Sequence, residues 1–151
     1  MDSWRRFWRL SRQEKLWFLQ ASVWLPLTAL GIREMGLRRW MSLLERIGPA
    51  SFPLSSPPEH LPEMTARMVA AAARRNPFSV NCLPRSVVLW WFFRRGGRDA
   101  ILRLGGRKEG ELLEGHAWVE LGGKAFDVSE ADPAGFVPFD RPIVSGEEKS
   151  S

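Results

Sequence analysis

Apolar residues at Leu16, Leu19, Val23 and Leu27 recur at intervals of three and four, which places them on one stripe of an α-helix. Ser11 followed by Glu14 has the spacing of a capping box, so the helix is expected to begin there, and Pro26 is expected to kink or break it. A second helical stretch, Ile32 to Ile47, aligns Leu37, Met41 and Leu44 before Gly48-Pro49 ends it. Gly48 to Pro62 holds five prolines and three serines and reads as an extended loop or linker. Pro62 to Arg75 has proline at the start, an acid in the first turn, alanines inside and arginines at the end, all of which favour a helix.

The next helix is expected from about Leu83 or Pro84 to Arg95, closed by Gly96-Gly97. Beyond it the period changes from helical to alternating. Strands are expected at Ala100 to Gly105, Gly115 to Leu121 and Lys124 to Ser129, with Gly122-Gly123 as a two-residue hairpin turn. The chain therefore divides into a helical region at 1–50, a proline-rich linker at 51–61, a core at 62–141 and a charged, frayed tail at 142–151.

The 151 residues, 44% of them hydrophobic, suffice for one core and one domain. A single cysteine forbids an internal disulfide and suits a reducing compartment, so a cytoplasmic location is expected. Leu16 to Ile32 carries no charge, but its 17 residues fall short of the roughly 20 that a membrane-spanning helix needs. With Gln20, Ser22, Thr28 and Pro26 inside it, it reads as a buried or partner-covered helical pair, with peripheral membrane contact as the lesser alternative, and no integral membrane span is expected. The net charge of +5 admits nucleic acid, membrane surfaces and acidic peptides as partners. The arginines are scattered in pairs along helix faces, which favours a solvated basic surface over a nucleic-acid groove. No zinc-type Cys/His spacing, Walker loop or Gly-x-Gly-x-x-Gly is present, so neither a metal nor a cofactor is expected.

The hairpin turn sets a register. Leu121 is expected opposite Lys124, Val119 opposite Phe126 and Trp118 opposite Asp127. Ala117, Val119, Leu121, Phe126 and Val128 then share one apolar face, and His116, Trp118, Glu120 and Asp127 share the other. Asp127 is the diagonal neighbour of His116 at roughly 7–8 Å, within reach of an aspartate and an imidazole. Such a carboxylate fixes the histidine tautomer and stabilises the imidazolium.

Cys82 begins the helix that precedes the hairpin, where the dipole and free backbone N–H groups favour thiolate and can hold an oxyanion. A lone cysteine is also among the most often buried residue types, and spacing alone leaves a core thiol and a nucleophile both open. His60, the other histidine, lies in the proline-rich loop and reads as a surface residue.

At these residues the sequence resembles a known family. NCLPRSVVLWWFFRRGG, AILRLGG and GHAWVELGGKAFDV are similar to the transglutaminase-like cysteine peptidases of lasso-peptide biosynthesis, the B2 (leader peptidase) proteins. The likeness covers about Asn81 to Val128. It implies an α+β fold with a papain-like, transglutaminase-like core, N-terminal helices and a catalytic helix packed on a small antiparallel sheet. It also implies Cys82 as nucleophile, His116 as general base and acid, and Asp127 as orienter. The implied substrate is a ribosomally made precursor peptide, leader plus core.

The implied partners are an ATP-dependent lasso cyclase and, because residues 1–50 show no winged-helix pattern, a separate B1-type leader-recognition protein. Arg85 and Trp118 are the candidates for substrate binding, with Arg85 open also to holding the helix start. Two alternatives share these residues: a transglutaminase-like acyltransferase, and a non-catalytic peptide-binding module in which Cys82 is core.

Overall fold

The computed structural model describes residues 2–47, 61–76, 82–126 and 136–139. Five helices precede the strands in these segments: α1 (Asp2–Arg9), α2 (Arg12–Met35), α3 (Leu37–Ile47), α4 (Leu61–Arg75) and α5 (Cys82–Arg95). They are followed by β1 (Ala100–Glu109), β2 (Leu112–Leu121), β3 (Lys124–Phe126) and β4 (Val137–Pro138). The strands form one sheet in the order β3-β2-β1-β4, antiparallel throughout. The α+β architecture that the resemblance implies is present, with strands after the helices as the change of period predicts.

α2 starts as its sequence dictates. The Glu14 N–H donates to Ser11 Oγ (3.2 Å) and the Ser11 N–H donates to Glu14 Oε2 (2.8 Å), closing the capping box. The helix then runs unbroken for 24 residues through Pro26, so of the expected kink or break the break does not occur. A proline removes one backbone hydrogen bond and crowds the preceding turn. Burial of Trp17, Ala21, Leu25 and Thr28 along one face holds the helix across that defect. The break falls instead at Gly36, whose φ of 87° is left-handed, so the expected Ile32–Ile47 helix is split between α2 and α3.

α5 is apolar on every side from Val87 to Phe93, and all seven of these residues are buried. Such a helix needs cover all round. It gets it from α2, α3 and α4 on one side and from the sheet on the other. Trp17 packs on Phe92 (ring centroids 4.9 Å apart) and Trp24 on Trp91 (4.5 Å), which makes both tryptophans part of the core packing. The Trp91 Nε1–H donates to the Leu44 carbonyl at 2.8 Å, fixing α3 to α5. Phe93 meets Phe126 of β3 edge-on at 5.4 Å. At its end Arg95 lies over the Trp91 ring at 4.6 Å, and burial lowers the pKa of its guanidinium.

The β2–β3 register is the expected one, with Leu121 opposite Lys124 and Val119 opposite Phe126. Positive φ at both Gly122 (58°) and Gly123 (79°) is what a tight turn of this twist requires. β1 and β2 are longer than expected. They continue as a hairpin through Arg107 opposite Glu114 to Glu109 opposite Leu112, bound by an Arg107–Glu114 ion pair of 2.7 Å. The proline-rich stretch at 51–60, the tail at 142–151, His60 and the end of the third expected strand lie outside the described residues.

Candidate active site

Cys82 is the first residue of α5, a free and partly exposed thiol. Pro84 is at home two residues on, because N–H groups of the first helical turn have no acceptor within the helix. The remaining free donors of that turn give this end partial positive charge. The helix end is also fixed in space. Ser86, one turn further, is fully buried and donates from Oγ to the Ala117 carbonyl at 2.9 Å. Residues four apart share a helix face, with Cα atoms about 6 Å apart along the axis. The thiol end of α5 is thus pinned to β2 at the residue that follows His116.

His116 sits on β2, with alternation turning its ring to the face opposite Ala117. That face is covered too: His116 and Trp118 are 7% and 4% exposed. This corrects the expectation of an apolar side set against a polar one, because both sides of β2 are buried from His116 to Val119. The cover is Phe136, which precedes β4. Its ring lies 4.7 Å from that of His116 and carries the Arg107 guanidinium on it at 4.6 Å.

Trp118 stacks beside His116 at 6.3 Å, and its Nε1–H donates to Glu120 Oε1 at 3.3 Å. Glu120 Oε2 accepts from Arg103 Nε at 3.1 Å, so a salt bridge between β1 and β2 holds the indole in place. Gly105, opposite His116, makes room for it: a Cβ there would stand 2.6 Å from the Trp118 ring and from the Val137 carbonyl. Trp118 therefore forms a fixed wall beside the histidine. Arg85 leaves the first turn of α5 partly exposed, with its Nε shielded from solvent and without an acceptor among the described residues. Asp127 lies outside the described residues.

Ser86 and Gly105 were not singled out in the sequence, although each had a signal. Ser86 is a polar residue at the head of the apolar run of α5, a turn after the cysteine. Gly105 belongs to a strand that is otherwise long-chained on that face. Phe136 had none, since nothing local connects it to His116.

A model of the transglutaminase-like superfamily matches residues 27–140. The chain belongs to that superfamily. Its members are often cysteine-dependent enzymes. The superfamily match takes in Cys82, His116 and the whole sheet, and leaves α1 and the first turns of α2 outside. No curated protein and no solved structure matches the chain.

Proposed function

We propose that this member of the superfamily is a cysteine peptidase that removes the leader from a lasso precursor peptide. The observation that carries the reading is the Ser86–Ala117 hydrogen bond, which holds a helix that starts with the chain's only cysteine against the strand that bears His116. The wall of Trp118, Phe136 and Gly105 leaves the imidazole little freedom to turn, as a general base requires. The likeness of NCLPRS and GHAWVE to the leader peptidases supplies the substrate class.

In this mechanism the Cys82 thiolate attacks the carbonyl of the last leader residue. The N–H groups at the start of α5 stabilise the resulting oxyanion. His116 gives its proton to the departing core amine, and the C–N bond breaks to leave a thioester. His116 then deprotonates a water, which attacks the thioester; the leader departs as a carboxylate and Cys82 is regenerated. Asp127 holds the imidazole tautomer throughout.

The freed α-amine of the core is the nucleophile that an ATP-dependent cyclase joins to an acidic side chain to close the macrolactam ring. A separate B1-type protein presents the leader, and the reaction belongs to the cytoplasm, where a lone thiol stays reduced. Arg85, with an unused donor beside the helix start, binds a carboxylate of the leader.

Mass spectrometry of a precursor incubated with this protein and its recognition partner in heavy-oxygen water tests the proposal. The expected products are an intact core with a free amine and a leader whose new carboxylate carries the label. A leader joined to an added amine would make the protein an acyltransferase. An uncut precursor, with a thiol that resists iodoacetamide in the native protein, would make it a binding module.

A further inference from the structure

α2 buries Trp17, Ala21, Leu25 and Thr28 against the core, yet its opposite side is apolar as well. Leu16, Leu19, Val23, Leu27 and Leu30 are each between 43% and 58% exposed and follow one another at helical spacing for about 21 Å. A shallow apolar depression bordered by Pro26, Ala29, Leu30 and Arg33 continues this surface. A helix that is apolar all round belongs under cover on both sides, and a continuous stripe of this length marks a contact surface.

The charges around the stripe say what covers it. Arg5, Arg6, Arg9 and Arg12 stand exposed at one end, and Arg33, Arg38 and Arg39 at the other. Of the nearby described acids, Glu14 closes the capping box and faces Arg67 at 3.8 Å, and Glu34 offsets Arg33 at 3.7 Å, which leaves Arg38 and Arg39 as the positive charge of that end. Two further aromatics are exposed on the helix that precedes α2. Trp4 and Trp8, one turn apart on α1, are 69% and 70% exposed. The Lys15 ammonium, one turn before Leu19, sits over the Trp8 ring at 5.4 Å and links the two helices.

A second copy of the chain fits this surface poorly. Packed antiparallel, it sets Arg12 and Lys15 of one stripe against Arg33, Arg38 and Arg39 of the other; packed parallel, it sets each cation against itself. Leucines and tryptophans framed by arginines suit a bilayer whose headgroups are anionic. No described helix is long and apolar enough to cross a membrane, so the contact is with the surface.

We infer that the outer face of α2, together with Trp4 and Trp8 of α1, docks this protein onto an anionic lipid bilayer. The stripe points away from α5, so docking leaves the Cys82 end of that helix facing water. This inference stands independently of the proposed peptidase activity.

Flotation of the full-length protein with vesicles tests it. Vesicles of phosphatidylcholine and phosphatidylglycerol in equal parts are expected to carry the protein, and pure phosphatidylcholine vesicles are not. Val23→Glu is expected to lower partitioning by about tenfold or more, and Arg5→Ala and Arg9→Ala by roughly fivefold each. Leu19→Asn serves as a second probe of the stripe, and circular dichroism melting of each variant is expected to match that of the parent because these side chains are exposed. The inference is overturned if anionic vesicles carry no protein, or if Val23→Glu and Leu19→Asn bind as well as the parent. It is overturned too if light scattering shows a dimer that Val23→Glu dissociates, since the stripe then belongs to a second copy.

Discussion

Ser86 and Ala117 are joined by a buried hydrogen bond of 2.9 Å across 31 positions of sequence. It is a bond between a helix and the backbone of a strand, made one turn after Cys82 and one residue after His116. Replacing Ser86 with alanine takes the hydroxyl donor from the Ala117 carbonyl and frees the helix end. A stability loss of about 1–3 kcal/mol is expected by denaturant unfolding. The proposed cleavage is expected to slow roughly tenfold to a hundredfold in kcat with KM little changed, because displacement of one reacting group by about 1 Å has that effect. Val87→Ala, at the neighbouring fully buried position, is the control. It is expected to cost comparable stability while sparing the rate, and equal losses of rate in both variants would remove the positioning role of Ser86.

Gly105 and Trp118 meet so closely that the glycine admits no side chain. A Cβ at position 105 stands 2.6 Å from both the indole and the Val137 carbonyl, and the second of these is backbone that cannot swing aside. Gly105→Ala is therefore expected to destabilise the protein by about 1–3 kcal/mol and to shift the Trp118 ring away from His116. Thermal unfolding and a changed near-ultraviolet circular dichroism spectrum check this together. An unchanged spectrum with an unchanged melting temperature would show that the sheet opens at β4 without strain.

Parts of this arrangement were legible in the sequence because they are set by local chemistry. Gly122-Gly123 permits only a tight turn, and that turn alone determines that Val119 faces Phe126. Gly96-Gly97 ended α5 where expected, and the unbroken apolar run from Val87 to Phe93 announced a helix covered on all sides. Pro26 misled because its local cost is outweighed by burial of the α2 face, which no local pattern reveals. Gly36 was missed because Ile32 and Leu37 both fit a helical period, so the stripe reads smoothly through the break. The outer half of the β1–β2 hairpin was missed because Arg107 to Glu114 mixes charge and glycine with no alternation. The cover over His116 was least legible of all, since Phe136 reaches it through the fold and not through the chain.

Arg85 offers a prediction of opposite sign to the usual arginine deletion. Its Nε is shielded and without an acceptor among the described residues, so removing that donor leaves no described partner unpaired. Arg85→Met keeps the aliphatic stem and removes the donor. The melting temperature is expected to hold or rise, while KM for the precursor rises and kcat stays within about threefold. A fall in stability with KM unchanged would assign Arg85 to holding the helix start instead.

Trp91 separates structure from chemistry on the same helix. Its indole N–H ties α5 to the Leu44 carbonyl of α3 at 2.8 Å, alongside the Arg94–Glu45 ion pair of 3.0 Å between the same helices and away from the thiol. Trp91→Phe keeps most of the apolar contact with Trp24 and Phe92 but takes the indole donor from that carbonyl. A loss of about 1–3 kcal/mol in unfolding free energy is expected, with the cleavage rate preserved below the melting temperature. A collapse in rate at constant stability would mean that α3 sets the position of the Cys82 end.

The proposed catalytic unit makes a prediction about additivity. Groups that act on one proton and one bond lose most of their effect when any one of them is removed, so their deletions do not add. Cys82→Ala is expected to abolish cleavage and iodoacetamide labelling while leaving the melting temperature within about 1 °C, because the thiol is partly exposed and has little packing to lose. His116→Ala is expected to lower the rate by several powers of ten, with some loss of stability because its ring is packed on Phe136. The double variant is then expected to be no slower than Cys82→Ala alone. Asp127→Asn is expected to be slower than the parent and faster than His116→Ala, since an amide in place of the carboxylate weakens the support of the imidazolium. Single-turnover assays with the recognition partner at saturation measure all four. A Cys82→Ala protein that still cuts the precursor would exclude the thioester route, and a double variant slower than either parent would show that the two side chains act in separate steps.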